Sequence, residues 1–112
     1  MIVSLAKIEC RNIDDWDSFH SEFDRVFGFP EFYGRNMDAW IDCMTSIDEP
    51  NDGLSNIHCE TRSMLTIELN NAKDLKENCK EQYEAIIECS AFVNWRRIES
   101  GSIPVIALSF YV

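Results

Sequence analysis

Two short apolar runs, Met64 to Leu69 and Ile103 to Tyr111, flank a stretch whose apolar residues recur at helical spacing. This arrangement limits the fold more than any other feature of the chain. A helix between two strands serves as the crossover that a parallel pair needs, and such crossovers are right-handed almost without exception. The helix is predicted from about Leu75 to Val93, on the stripe Leu75, Cys79, Tyr83, Ile86, Ile87 and Ser90 or Ala91. Asn70-Asn71 closes the strand before it, and Asn94 to Ser102 reads as a loop, with Gly101 ahead of the last strand.

Upstream, Ile2-Val3-Ser4-Leu5-Ala6-Lys7-Ile8 reads as a further strand. Asn12 to Asp15 supplies helix-start residues: Asp14 or Asn12 could accept from the free amides of the first turn, and Asp17 suits the positive end of the helix dipole. Trp16, Phe19, Phe23, Val26 and Phe27 then follow with the helical period to Gly28, a natural stop, giving a helix whose aromatic face belongs in the core. Pro30 and Gly34 bar a regular helix through the next segment. Asn36 opens a second helix, Met37 to about Glu49, before Pro50, and residues 51–63 form a long connection. The order β-α-α-β-α-β predicts an α/β fold: a small three-stranded parallel sheet packed by helices, with residues 1–112 as one domain.

Charge narrows the function. Twenty acidic residues against ten basic ones give a net charge of −10, which repels nucleic-acid phosphates and anionic membrane surfaces and attracts a basic partner. Five cysteines, an odd number without close-paired spacing, read as small buried hydrophobes in a reducing compartment. No signal peptide or membrane-length apolar run is evident, so a cytoplasmic protein is expected. Two histidines, His20 and His58, have no third nitrogen ligand near them in sequence, so neither a metal nor a cofactor is expected.

On the second helix, Met37, Trp40, Ile41, Cys43, Met44 and Ile47 fall in one arc, and Asp38, Asp42, Thr45, Ser46 and Glu49 in the other. Asp38 and Asp42 are one turn apart, so their carboxylates stand one above the other. Like charges at that spacing cost a helix about 0.2–0.5 kcal/mol, with no local benefit visible in the sequence. A solvated face is one explanation. A divalent-metal or acid–base pair is another, although no phosphate-binding glycine loop and no histidine partner accompany it.

The run Pro30-Glu31-Phe32-Tyr33-Gly34-Arg35-Asn36-Met37-Asp38-Ala39-Trp40-Ile41-Asp42-Cys43-Met44-Thr45 resembles the signature segment of the barstar family of ribonuclease inhibitors. That pattern is Pro-Glu, an aromatic pair, Gly, a variable residue, then Asn-apolar-Asp-Ala, followed by an apolar pair, Asp, Cys, an apolar residue and Thr. The resemblance implies an inhibitor, not an enzyme, that presents carboxylates where a basic ribonuclease would hold RNA phosphates. Asp42 would be the central anchor with Asp38 beside it. Gly34 and Asn36 would present backbone and amide groups at the start of the helix, and Phe32 would pack on the enzyme. Thr45 and Ser46 would extend the contact, and Ile41 would border it.

The implied partner is a ribonuclease or ribonuclease toxin bound 1:1 by a monomer. The alternative is the same fold aimed at a non-ribonuclease target. Phe32 stands where the best-known family member carries Tyr, Arg35 where the loop is acidic, and Ser46 where there is a glycine. The acidic contact that the family draws from its last helix aligns with Cys89 or, one residue away, Glu88.

Overall fold

The computed structural model describes all 112 residues. Three strands, β1 (Leu5–Glu9), β2 (Leu65–Asn70) and β3 (Ile106–Ser109), form a sheet in the order β1-β2-β3 with both pairings parallel. Helices α1 (Trp16–Phe27) and α2 (Met37–Thr45) lie between the first two strands, and α3 (Ala72–Asn78) and α4 (Lys80–Glu99) between the last two. This is the predicted α/β architecture.

The register places Ala6 beside Ile67, Ile8 beside Leu69, and Leu65 beside Ile106, so the buried side chains of all three strands share one face. Lys7 is exposed, and Thr66 and Glu68 are only half-buried, on the other face. This period-2 alternation belongs to a sheet covered on one side, where parallel sheets are usually covered on both. The covering layer is aromatic. Phe19, Phe23 and Phe27 from α1 are fully buried and pack in sequence, and Trp40 from α2 meets Phe23 edge-on at 5.6 Å between ring centroids. Burying each such ring contributes roughly 1.5–3 kcal/mol.

The start of α1 differs from expectation. Asp15, not Asp14 or Asn12, is the cap: its carboxylate accepts from the Ser18 amide at 2.7 Å, and Ser18 Oγ accepts from the Asp15 amide at 3.0 Å. Asn12 instead donates to the buried Glu22 carboxylate at 3.0 Å, so a tertiary contact removes it from capping. Gly28 ends α1 with φ +65°, and a Cβ there would lie 2.4 Å from the Asn56 side-chain nitrogen. Both facts require glycine at this position.

Helix α2 stops at Thr45, short of the predicted Glu49. The Thr45 carbonyl accepts from Arg97 Nη1 at 2.7 Å, and the Glu49 amide turns to the Ser46 carbonyl at 2.9 Å. The predicted single helix from Leu75 is two helices broken at Cys79 (φ −139°, ψ 58°), whose thiol reaches the Ile13 carbonyl at 3.6 Å. In the other direction, α4 runs through Asn94 to Glu99, where a loop was expected. Asn94 faces inward, accepting from the Val105 and Ile106 amides at 2.9 and 3.0 Å and donating to the Ile106 carbonyl at 2.9 Å. Arg97 is buried against Asp48. The terminal strands are also shorter than predicted. Before β1, Ile2 forms only an isolated parallel bridge to His58, which ties the connection 51–63 to the amino terminus.

Candidate functional site

The site is set by how α2 begins. Asn36 has extended backbone angles, and its Oδ1 accepts from the Ala39 amide at 2.8 Å, satisfying one of the free donors of the first turn. Its Nδ2 donates to the Gly34 carbonyl at 3.4 Å, and a Cβ on Gly34 would come within 3.2 Å of that nitrogen. Asn36 and Gly34 therefore shape the helix start, and the Asn36 oxygen is committed to the cap. Between them Arg35 takes the left-handed conformation (φ 51°) and donates to the Asp17 carbonyl and carboxylate, both at 2.8 Å, and to Ser21 Oγ at 3.0 Å. Its charge is thereby directed onto α1.

From that start the helical period sorts the side chains as the wheel predicts. Trp40, Cys43, Met44 and Ile47 are buried, Met37 and Ile41 half-buried, and Asp38 and Asp42 exposed. Ser46 is half-buried just past the helix end. Asp38 pairs with no cation of its own chain. Asp42 has one: Arg96 Nη2, from α4, donates to Asp42 Oδ1 at 3.1 Å and to Thr45 Oγ1 at 2.9 Å. The Thr45 hydroxyl in turn donates to the Ile41 carbonyl at 2.6 Å.

Across from Asp42 stands Phe32, 77% exposed, an aromatic ring with no part in the core. A cleft of about 380 Å³ joins the two, lined also by Pro30, Gly34, Ala39 and Leu54. At its wall, burial and then the charge of Asp42 push the Cys43 thiol up to about 11, so it stays protonated and unreactive at neutral pH. Phe32, Gly34 and Asp42 thus share one concavity, while Asp38, Ile41, Thr45 and Ser46 do not line it. A larger cleft of about 490 Å³, at the carboxyl ends of β2 and β3, contains no residue of α2. No group of three or more His, Cys, Asp or Glu side chains gathers anywhere in a metal-binding arrangement.

On α4, Glu88 is exposed and Cys89 half-buried, and the Cys89 thiol is raised by burial and by the charges of Glu88 and Asp38. The α4 residue that hydrogen-bonds to the acidic surface is neither of these but Arg96. One turn before it, Phe92 stacks on Trp95 at 5.8 Å, with both rings partly exposed. Ending the helix at Val93 hid these neighbours. Continuing the wheel two turns would have placed Arg96 on the same flank as Cys89.

The parallel sheet, its single helical layer and the capped acidic helix beside a shallow cleft define a small α/β domain of the barstar type. The chain belongs to the barstar family: the sequence model described as "Barstar (barnase inhibitor)" matches residues 3–102, from before β1 to beyond the end of α4. A protein of Bacillus subtilis (strain 168) named "Putative ribonuclease inhibitor YrdF" is 28% identical over 88 residues, covering 72% of this chain and 94% of that protein. No helix of the chain is long and apolar enough to cross a membrane.

Proposed function

We propose that this protein inhibits a basic ribonuclease by covering its active site with the outer face of α2, Asp42 being the anchor and Asp38 its neighbour. The observation that carries this reading is the exposure of both carboxylates on a helix whose opposite arc is buried, with the unsupported Phe32 ring across the cleft. Two carboxylates one turn apart match a site built to hold successive phosphates. Charge-assisted hydrogen bonds to them are strong once water is excluded. The net charge of −10 steers a cationic partner toward the surface. Family membership and the relative's printed name support the same activity. The finer reading is a 1:1 complex in the cytoplasm with a ribonuclease toxin, for which this chain provides immunity.

The test is a pull-down from native lysate with wild type and Asp38→Ala/Asp42→Ala as paired baits, followed by a ribonuclease assay of what is retained. A basic ribonuclease held by wild type alone, and inactive while bound, is the expected result. Retention of the same partner by both baits would make the acidic face ordinary surface. In a quantitative series Asp42→Ala weakens inhibition far more than Glu84→Ala, a change at an exposed α4 carboxylate 3.8 Å from Lys80. Association slows as salt rises, whereas a metal-dependent site would respond to chelator instead.

A further inference from the structure

The surface proposed above contains a cation at its centre. Arg96 Nη2 is shared between Asp42 Oδ1 and Thr45 Oγ1, and the Arg96 side chain is 40% exposed, so it is reached from the surface. Its Cα is fixed, because α4 is held on either side by the contacts of the half-buried Asn94 and the buried Arg97. A partner's cation arriving at Asp42 must share the carboxylate with Arg96 or displace it, and in either case a second positive charge remains at the seam.

Two effects compete. Arg96 holds Asp42 in one rotamer, which spares a little ordering entropy, but an aspartate side chain has little to lose. Against this, a like charge is enclosed with the partner's cations where water no longer screens it, and juxtaposed like charges discriminate strongly between partners. The charge effect is the larger.

We infer that Arg96 is a specificity-determining residue. It disfavours partners that place a cation opposite it and favours one that sets a carboxylate beside the cation received by Asp42. This rests on the α2 surface being the inhibitory site.

Barnase, the enzyme named in the family's description, is the probe. Its inhibition is titrated at low ionic strength with wild type, Arg96→Ala, Arg96→Glu, Asp42→Ala and the Arg96→Ala/Asp42→Ala double variant. Arg96→Ala is expected to inhibit about tenfold more tightly than wild type, and Arg96→Glu more tightly still, since a gain of that size requires only about 1.4 kcal/mol. Most of the gain disappears in the Asp42→Ala background, where no carboxylate remains to be freed. An Arg96→Ala variant that inhibits no better than wild type, or a complete set of variants that fails to inhibit barnase, overturns the role given to Arg96. A gain that survives undiminished without Asp42 overturns instead the placing of the anchor at Asp42. Circular dichroism of each variant separates misfolding from altered recognition.

Discussion

Arg96 and Arg97 are adjacent on α4, and each reaches an aspartate in or just beyond α2, yet the two pairs act in different ways. Arg97 is buried, and so is Asp48. All five guanidinium N–H groups are used: two on the Asp48 carboxylate at 2.9 and 3.0 Å, and the others on the Thr45 and Ile103 carbonyls and Ser102 Oγ. Arg96 makes one contact with Asp42, and both side chains remain partly in solvent. The inner pair locks the end of α2 to the end of α4. The outer pair lies at the surface and, under the proposed function, exchanges for contacts with another molecule. Under the proposed function, burial alone gives identical chemical groups a structural role in one pair and a recognition role in the other.

The comparison breaks most readily at the inner pair. Asp48→Ala leaves a buried guanidinium without its counter-ion and is expected to cost about 3–5 kcal/mol, a large part of a typical domain's stability. Urea unfolding measures it, and a loss below 1 kcal/mol would show that water reaches Arg97. Arg97→Lys keeps the charge but loses the planar fork, and is expected to cost about 1.5–3 kcal/mol by the same measurement. At the outer pair, Asp42→Ala and Arg96→Ala should each change stability by less than about 1 kcal/mol while changing inhibition strongly. Stability losses equal to those at the inner pair would erase the distinction.

A smaller effect comes from pH. His20 is buried and hydrogen-bonded to the Tyr33 hydroxyl at 2.5 Å. Burial, then the charge of Arg35, lowers its pKa below the ordinary 6.5, with Asp17 opposing. The unfolded chain therefore takes up a proton first as pH falls, so stability is complete above about 6.5 and declines as pH drops from there toward the folded-state value. The urea midpoint should fall between pH 7.5 and 5.5 in wild type and stay flatter in His20→Gln. A wild-type midpoint that does not move would show that His20 titrates normally in the fold.

Much of this fold was legible because local and tertiary requirements agree. Trp16 to Phe27 has an aromatic period, a carboxylate start and a glycine stop, and each points to the same helix. The acidic face of α2 was legible for the same reason, since Trp40, Cys43 and Met44 leave only one way for Asp38 and Asp42 to face. What local sequence does not reveal lies where polar side chains are satisfied inside the protein. Asn94 and Arg97 look like loop residues because their partners, the backbone at Val105 and Ile106 and the Asp48 carboxylate, lie outside the helix. Asn36 was legible as the residue that opens α2, whereas the bond from its amide to the Gly34 carbonyl shows only once the turn is closed.

By itself, the sequence determined the order of the elements except for the break at Cys79, together with the parallel crossover, the buried aromatic layer and the outward direction of the two aspartates. All of these follow from periodicity and the chemistry of turns, which act over a few residues. The tertiary structure alone decided that α2 ends at Thr45, that Arg35 turns to α1, that Asp48 is buried, and that Arg96 meets Asp42. Each of these depends on a charged group finding its counterpart across the fold. The cost of desolvating a charge is set by what surrounds it in space, and no local pattern of residues carries that information.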